Sequence, residues 1–471
     1  MKTYKKILAT AILSAFFISC FEDKDDTPVN TIDINEFVYR GMDTYYLYRD
    51  QVDDLIEDKA NSAEFNNYLN GFNSPEALFE NLIYDRTGTD KFSWIVDDYI
   101  ALEQQFNGIV TSNGMEFGLQ RYSPVSDNIF GVVRYILPNT SAENNNLQRG
   151  DLFNAVNGIQ LTVNNWRSLL GQDSFTLNLA EYNTNGTSTV DDDSIDETPS
   201  TIVLNAIQYV ENPIFKTEIL QVEDENAGYL MYNGFVNNFD TALNNAFAEF
   251  KANNVQHLIL DLRYNPGGSV NSATLLGSLV TGQFFGQVFA KLQYNSIQQS
   301  RNFDYTFVNT NDGNVLNNLN LNKVYVIATG SSASASEMVI NSLDAYIEVI
   351  TIGTKTVGKS QASITLYDSP NFNRTEADPR HTYAMQPLVA ITVNKNNAQV
   401  PNNGLIPFIE IEEEINNFGI LGNPSEPLLG EALAHIAATN RVANKPPSKT
   451  TDAIFDSNDL LPLSKEMYIK N

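Results

Sequence analysis

Three short segments carry the residues that could do chemistry, and each follows an apolar, strand-like run. The run at 257–262 leads into RYNPGG, the run at 323–330 leads into SSASASE, and the run at 348–353 leads into TKTVGKS. In open α/β sheets, ligands bind beyond the carboxyl ends of the strands. The sequence therefore predicts one crevice lined by NPGG, SSASASE and VGKS.

Ser334 is the candidate nucleophile of this crevice. Small residues flank it at a strand-to-helix turn, where the first N–H groups of the helix are unpaired and the helix dipole is positive. Its hydroxyl could attack a carbonyl while the N–H of Ala335 and an N–H of Gly267 or Gly268 hold the oxyanion. The pattern predicts acyl transfer.

Lys359 is the candidate base for this nucleophile. Of the three histidines, His257 opens a strand, His435 lies on a late helix and His381 lies in a loop, so none stands at a strand end. Burial in a closed site lowers the pKa of a lysine towards neutrality, and the neutral amine can accept a proton. A Ser/Lys dyad is therefore favoured, with a Ser/His arrangement through His381 as the minor alternative.

The same segments resemble those of the C-terminal processing peptidases, also called tail-specific proteases. Lys359 follows Ser334 by 25 residues, which is the spacing of the family's catalytic dyad. The resemblance covers most of the chain, from DKFSWI (90–95) to EPLLGEAL (426–433). It implies an α/β fold with a crotonase-like core, and no metal or cofactor.

The resemblance also implies roles for particular residues. A nucleophile, a general base and an oxyanion hole are implied at Ser334, Lys359, Gly267 and Ala335. An acid that supports the site is implied at Glu337, and its other interpretation is a charge or capping partner at the helix N-terminus. The chain departs from the family at Ser363, where Gln is frequent, and the nearest Gln is Gln361.

The middle of the chain resembles a PDZ module of the bacterial protease type. Gly118 and Leu119 stand in the position of its carboxylate-binding loop, and RGD (149–151) and VNG (156–158) complete the pattern. Such modules bind an extended peptide by strand addition at a sheet edge. Substrate contacts are therefore expected at Gly118, Leu119 and, in the crevice, Gly268, while a generic β-rich domain is the alternative.

One further motif competes with the peptidase interpretation. The segment 353–360 fits the phosphate-binding P-loop pattern, but a P-loop must open a helix, and the β-branched segment 361–372 predicts extended chain. An NTPase is therefore the weaker alternative. A third possibility is a catalytically silent surface lipoprotein that binds peptides through the PDZ module, and it differs from a peptidase only in whether Ser334 reacts.

Composition excludes several functions. The net charge of −28, from 29 Lys and Arg against 57 Asp and Glu, argues against nucleic-acid binding and against a polybasic membrane anchor. With 42% hydrophobic and 18% charged residues the chain should be globular. The single Cys excludes a disulfide framework and a Cys-based zinc site.

The N-terminus predicts export. Three lysines in the first six residues precede the apolar stretch 7–18, which is too short to span a bilayer, and Cys20 follows as in bacterial lipoproteins. The acidic stretch 21–26 resembles the tag that sends lipoproteins to the cell surface in Bacteroidetes-like bacteria. We expect lipidation at Cys20 and a place in the cell envelope at the outer membrane, facing the periplasm or the exterior. A plain cleaved signal or short anchor, followed by a solvated tether, is the alternative.

A length of 471 residues predicts about three domains. The expected order is a lipoprotein signal peptide (1–20), a flexible acidic tether (21–32), a helical domain with an aromatic packing face (33–104), a PDZ-like domain (105–208), a serine peptidase core with largely parallel strands (209–442) and a tail that lies on the surface or is disordered (443–471). The predicted function is that of an exported serine endopeptidase that forms an acyl-enzyme with unstructured or C-terminal protein segments.

Overall fold

The computed structural model of the chain describes residues 29–57, 59–187, 189, 192–437, 453–461 and 464–469. The predicted signal peptide with Cys20 and most of the predicted tether lie outside these residues. None of the helices in the described ranges combines the length and the apolar character needed to cross a bilayer.

The secondary structure of the described ranges is as follows. The helices are α1 (Thr31–Tyr45), α2 (Asp53–Ile56), α3 (Phe65–Asn70), α4 (Pro75–Asn81), α5 (Tyr99–Phe106), α6 (Ser141–Asn144), α7 (Trp166–Leu170), α8 (Asp240–Ala252), α9 (Val270–Thr281), α10 (Ala335–Asp344) and α11 (Pro427–Ile436). The strands are β1 (Trp94–Val96), β2 (Ile109–Ser112), β3 (Met115–Arg121), β4 (Ile129–Ile136), β5 (Leu152–Val156), β6 (Ile159–Gln160), β7 (Ser174–Asn183), β8 (Ser194–Asn205), β9 (Ile207–Val210), β10 (Ile214–Val222), β11 (Glu225–Tyr232), β12 (Val255–Asp261), β13 (Gly268–Ser269), β14 (Val288–Tyr294), β15 (Phe303–Thr306), β16 (Thr310–Asn311), β17 (Asn314–Val315), β18 (Lys323–Ala328), β19 (Glu348–Gly353), β20 (Gln361–Ser363), β21 (Leu366–Tyr367), β22 (Ala384–Gln386), β23 (Leu388–Val393), β24 (Ile409–Glu410), β25 (Phe455–Asp456) and β26 (Met467–Tyr468).

The central sheet has the strand order β10-β11-β12-β18-β19-β24, and it is parallel from β11 to β24. Its strands are continuous apolar runs because both faces are covered. Alternate side chains pack against α8, α9 and α10 on one face and against α11 on the other. The three predicted strands are the neighbours β12, β18 and β19, so the prediction that they end at one edge is confirmed.

A second sheet has the order β13-β26-β20-β23-β14-β15. It is parallel at β13, β26 and β20 and antiparallel from β20 to β15. The expectation of largely parallel strands was therefore wrong for this sheet. Antiparallel neighbours can be joined by short connections and need no helical crossover, so strand-helix alternation in the sequence does not reveal them.

The helical region packs directly on the second sheet. Aromatic side chains such as Phe37, Tyr39 and Tyr46 are fully buried in a core that also contains residues of α9 and β23. The prediction that the aromatic face serves packing is confirmed. The helices and the α/β region therefore share one hydrophobic core.

The region from 105 to 208 forms its own antiparallel sheet, in the order β25-β3-β4-β5-β7-β8 with β6 beside β5. Its separate core includes Phe117, Phe153 and Trp166. Within the acidic stretch 189–200, residues 194–200 belong to strand β8, which pairs with β7.

The C-terminal tail was predicted to lie on the surface or to be disordered, and for 453–461 and 464–469 this is wrong. Strand β25 pairs with β3, and β26 lies between β13 and β20. Met467 is fully buried. The tail is mostly polar, but a few isolated apolar residues, such as Phe455 and Met467, pack against the hydrophobic cores. Composition alone does not reveal them.

A buried charge network holds the loop that follows β12. Arg263 is fully buried and pairs with Asp261 at 2.7 Å, Glu426 at 2.7 Å and Glu413 at 3.1 Å. Glu413 also pairs at 2.6 Å with Arg149 of the antiparallel domain, so it joins that domain to the α/β core. Burial alone would raise the pKa of Glu413, but the two guanidinium groups outweigh burial and lower this pKa to about 2.

Replacement of Glu413 by Gln should destabilise the protein strongly at neutral pH. It leaves two buried guanidinium groups short of a counter-charge, and breaking a buried pair costs about 3–5 kcal/mol of unfolding free energy. Because the folded pKa of this carboxyl is depressed below its ordinary value of 4.5, its stabilisation is present above that value and is lost as pH falls towards about 2.

Urea unfolding at pH 7 and pH 3 measures both effects. The difference in unfolding free energy between wild type and Glu413→Gln should be smaller at pH 3, while Glu181→Gln, at an exposed position of strand β7, should match wild type at both pH values. A gap that does not change with pH would contradict the assigned pKa shift.

Candidate active site

The segments that follow β12, β18 and β19 meet at the carboxyl edge of the central sheet. The carbonyl of Asn265 accepts hydrogen bonds from the Ala333 N–H at 3.2 Å and the Ser336 hydroxyl at 3.0 Å. The Val357 N–H donates to the carbonyl of Ser332 at 3.1 Å. The predicted crevice is therefore present, and backbone hydrogen bonds fix its three walls to one another.

Ser334 stands at the turn before α10 in a strained conformation. Its φ is +64° and its ψ is −117°, a region that residues with a side chain rarely adopt. The side chain is fully buried, and its Oγ has no hydrogen-bond partner in the part of the chain that the structure describes. A buried hydroxyl that lacks a hydrogen-bond partner and belongs to a residue with a strained backbone is suited to act as a nucleophile.

The Glu337 carboxylate links this turn to the loop that follows β19. Its Oε2 accepts the N–H of Ser334 and the N–H of Lys359, both at 2.9 Å. Its Oε1 accepts the N–H of Gly358 at 2.7 Å and the Thr356 hydroxyl. Burial raises the pKa of Glu337, and the donors oppose that rise. The Glu337 carboxylate thus fits both interpretations from the sequence. It caps the N-terminus of α10, and it supports the site because it accepts the backbone N–H groups of Ser334 and Lys359.

Lys359 is fully buried beside this carboxylate. Its Nζ lies 3.2 Å from Oε2 of Glu466 and 4.9 Å from the ring centroid of Phe92. Burial lowers the pKa of Lys359, and the Glu466 carboxylate opposes this effect. Phe92 belongs to DKFSWI, a motif that the sequence singled out without a role. No sequence pattern indicated a role for Glu466, which lies in the tail.

The glycine loop after β12 faces Ser334 from the other side. Gly267 and Gly268 have φ values of +116° and +129°, which side chains disfavour. A Cβ at Gly267 would lie 2.6 Å from the Ser334 Cβ, and a Cβ at Gly268 would lie 2.3 Å from the Phe235 carbonyl oxygen. Only glycine lets the loop come this close to the nucleophile.

The hydrogen bonds of the N–H groups in this loop differ from those expected for the oxyanion hole. The Gly267 N–H, expected in the oxyanion hole, donates to Oδ1 of Asn265 at 2.9 Å. The Gly268 N–H instead donates to the carbonyl oxygen of Glu466 at 2.6 Å. Ala335 is the first residue of α10, so its N–H has no carbonyl partner within the helix. The geometry therefore favours Gly268 over Gly267 as the partner of Ala335.

Ser363 takes part in the site although it replaces the Gln frequent in the family. Its hydroxyl lies 2.7 Å from Oε1 of Gln386 and 2.5 Å from Oε2 of Glu466. The nearest Gln in sequence, Gln361, has its Nε2 on the Tyr48 hydroxyl at 3.2 Å. Lys359 therefore contacts a carboxylate and an aromatic ring, and the Ser363 hydroxyl holds that carboxylate.

The histidine alternative is not supported by the structure. Nε2 of His381 lies 3.1 Å from Oδ2 of Asp368, and its Nδ1 accepts the N–H of Tyr383 at 3.1 Å. Both ring nitrogens thus have partners other than Ser334. The sequence alone could not reveal the pairing of His381 with Asp368, because both residues lie in the irregular region between β21 and β22, where no periodic pattern indicates contacts.

The phosphate-binding alternative fails on the local fold. The N–H groups of Gly358 and Lys359, which a P-loop would offer to phosphate, donate to Glu337. The chain then continues as strand β20 and not as a helix. The prediction of extended chain after the motif is confirmed.

Gly118 and Leu119, expected in a carboxylate-binding loop, lie inside strand β3. The edge of β3 is occupied by β25, and the Ile454 N–H donates to the carbonyl of Leu119 at 2.8 Å. A cavity of about 330 Å³ lies between this strand and the glycine loop, with Phe117, Gly268 and Glu466 among its lining residues. The start of β3, at residues 115–117, and the glycine loop therefore border one cavity, and Gly118 and Leu119 are not among its lining residues.

Two family models match the chain. The model of peptidase family S41 matches residues 226–375, and the model of the peptidase S41 N-terminal domain matches residues 33–94. The first contains Ser334 and Lys359, and the second contains Phe92. Both matches fall on segments that build the site.

Individual relatives agree with these matches. A probable CtpA-like serine protease of Staphylococcus epidermidis is 26% identical over 179 residues, which are 36% of this chain and 34% of that protein. The chain thus matches about a third of the length of this curated relative. A structure described as a candidate S41 protease of Bacteroides fragilis is 25% identical, with a TM-score of 0.65, covering 85% of this chain and 97% of that one.

The photosystem II D1 C-terminal processing protease shares the fold at 14% identity, with a TM-score of 0.51, covering 87% of this chain and 99% of that one. Fold and site thus define a mixed α/β protein of the serine peptidase class. The matched segments, 226–375 and 33–94, are similar to peptidase family S41. The resemblance to C-terminal processing peptidases is confirmed.

Replacement of Glu337 by Gln should lower the unfolding free energy by about 1–3 kcal/mol, the cost of leaving a buried donor unpaired. The amide that replaces one oxygen is itself a donor, so it faces backbone N–H groups and repels them. Urea unfolding measures the loss, with Asp344→Asn at the exposed end of the same helix as the control. Equal midpoints for the two variants would show that the Glu337 carboxylate does not hold the turn.

Proposed function

We propose that the protein is a serine endopeptidase that hydrolyses peptide bonds in unstructured or C-terminal protein segments through Ser334 and Lys359. The observation that carries the proposal is the Glu337 carboxylate, since one of its oxygens accepts the N–H groups of both residues. Two residues that are far apart in sequence are thereby held at one point. Both side chains are fully buried.

The chemistry follows from the burial and the donors. Neutral Lys359 takes the proton of the Ser334 hydroxyl as Oγ bonds to the substrate carbonyl carbon, and the N–H groups of Gly268 and Ala335 stabilise the oxyanion. Lys359 then gives the proton to the leaving amine, the C–N bond breaks, and water hydrolyses the acyl-enzyme. Because burial lowers the pKa of Lys359, the neutral amine is more available at moderate pH.

We also propose the finer fold assignments, a crotonase-like core and a PDZ module. The central parallel sheet with its strand-end site supports the first assignment. The edge of β3, which accepts β25 as an added strand, supports the second, since PDZ modules bind peptides in this way. In this proposal, Gly118 and Leu119 bind a substrate tail by backbone hydrogen bonds.

Ser334→Ala and Lys359→Ala should each lower the rate of hydrolysis of an unfolded protein by about three orders of magnitude or more, because each removes a member of one catalytic unit. The matched controls are Ser168→Ala, at an exposed position of α7, and Lys355→Ala, at an exposed position in the loop before Lys359, and both should keep wild-type rates.

The measurement is the rate of peptide release, with melting curves to show that each variant is folded. Activity that survives in Lys359→Ala but is lost in His381→Ala would overturn the dyad. Equal rates in wild type and Ser334→Ala would instead favour the peptide-binding lipoprotein without turnover.

We propose further that Cys20 carries a lipid that anchors the protein in the cell envelope at the outer membrane. The support is the pattern of lysines, apolar stretch and Cys20 at the N-terminus. Metabolic labelling with a fatty-acid analogue should mark the wild-type protein and leave Cys20→Ala unmarked. Labelling that persists in the variant would contradict the anchor.

A further inference from the structure

The last described segment of the chain crosses the candidate active site as a strand. Strand β26 (Met467–Tyr468) lies between β13, which continues the glycine loop, and β20, which directly follows Lys359 and Ser360. It is parallel to both neighbours. The chain's own tail therefore fills the space between the two walls of the proposed catalytic site.

Backbone hydrogen bonds hold this strand on both sides. On one side, the Gly268 N–H donates to the carbonyl of Glu466 at 2.6 Å. On the other side, the Ile469 N–H donates to the carbonyl of Ser363 at 3.0 Å. Such bonds do not depend on side chains, so any extended peptide could form them.

The carbonyl of Glu466 lies where a scissile carbonyl would be expected. A Cβ placed on Gly267 would lie 2.7 Å from this carbonyl oxygen and 3.0 Å from the Ser334 Oγ, so both atoms border the same small space. The side chain of Glu466 meets Lys359 at 3.2 Å. One tail residue thus contacts an oxyanion donor and the proposed base at once.

The two residues that follow occupy distinct surroundings. Met467 is fully buried in the main hydrophobic core. The ring of Tyr468 stacks on Phe106 with a centroid distance of 4.3 Å and an interplanar angle of 25°. The site therefore offers an enclosed apolar pocket followed by an aromatic platform.

The upstream part of the tail is bound as well. Phe455 pairs with Leu119 in the added strand β25 and stacks on Trp166. Asp456 lies 3.2 Å from Arg134 and accepts the Ser331 hydroxyl at 2.8 Å. One segment thus occupies both the edge of β3 and the catalytic crevice.

We propose that the tail segment 465–469, which contains β26, occupies the substrate groove of the peptidase. The groove then takes an extended peptide parallel to β13 and β20, with a large unbranched apolar residue in the place of Met467 and an aromatic residue in the place of Tyr468. This inference rests on the proposed function, since it assigns the substrate class of the same site.

The occupant also competes with substrates. While β26 pairs with β13 and β20, the Glu466 carbonyl occupies the Gly268 N–H, which is a proposed oxyanion donor, and an incoming peptide has no free position between the two walls. A substrate must therefore displace the tail before the dyad can act. The tail behaves as a tethered competitor whose departure exposes a complete site.

The test uses the full-length chain with Ser334→Ala, so that binding is measured without hydrolysis. The probe is a fluorescein-labelled peptide with the sequence of residues 465–471, followed by fluorescence anisotropy. Adding Met467→Asp to the chain should expel the tail from its apolar pocket and raise the affinity for the probe by about tenfold or more. The matched control is Ile420→Asp, at a side chain that is 69% exposed, and it should leave the affinity unchanged.

A second variant protects the test against a folding defect. Tyr468→Ala removes the stacking on Phe106 and the two hydroxyl contacts at 3.5 Å to the carbonyls of Phe106 and Phe235, and it should also raise the affinity for the probe. A probe with Asp in the place of Met467 should not bind to any of these chains. Equal affinity for the probe in all chains, or undiminished binding of the Asp probe, would overturn the inference.

Hydrolysis distinguishes this inference from the proposed function. With Ser334 intact, Met467→Asp should lower KM for an unfolded protein substrate. If no chain hydrolyses the substrate although the probe binds as described, the groove assignment is supported and the catalytic proposal is wrong. If Met467→Asp instead abolishes hydrolysis in a folded protein, the tail is part of the catalytic site and is not a competitor.

Discussion

The Glu337 carboxylate is the interaction on which the rest of the site depends. It lies on the first turn of α10 and accepts backbone N–H groups from its own helix turn and from the loop after β19. These donors are buried, and leaving one unpaired would cost about 1–3 kcal/mol. The strain at Ser334 persists only because this anchoring determines the conformation of the turn. A single buried carboxylate therefore positions both the turn that carries Ser334 and the backbone N–H of Lys359.

The third wall depends on a second set of buried charges. Arg263 and its carboxylate partners fix the start of the loop after β12, and Gly267 at its end approaches Ser334 more closely than any side chain would allow. Glu413 shares its charge between Arg263 and Arg149, so the position of the antiparallel domain is tied to the loop that carries Gly268. The position of the β3 edge relative to the candidate crevice is thus fixed by ion pairs in the protein interior, where the low dielectric strengthens them.

Much of the site could be predicted because its signals are local. Apolar runs followed by small or polar residues identify strand ends, and the parallel arrangement brings these ends together. The identity of the oxyanion donor could not be predicted, because it depends on the Asn265 side chain that accepts the Gly267 N–H. The role of Glu466 could not be predicted either, because the tail has few apolar residues and joins a sheet whose other strands are distant in sequence. Non-local strand pairing leaves no periodic pattern in either partner.

The two contacts of the tail also bear on how a substrate would displace it. Strands β25 and β26 belong to one segment, so release of either strand lowers the effective concentration of the other at its site. A peptide that pairs with the edge of β3 removes β25 first, and this weakens the hold of β26 in the crevice without any change in the crevice itself. The buried Glu413 link keeps the two sites at a fixed separation, so the domain need not move for this coupling. Competition along one tethered segment is therefore sufficient to connect substrate capture with exposure of the dyad.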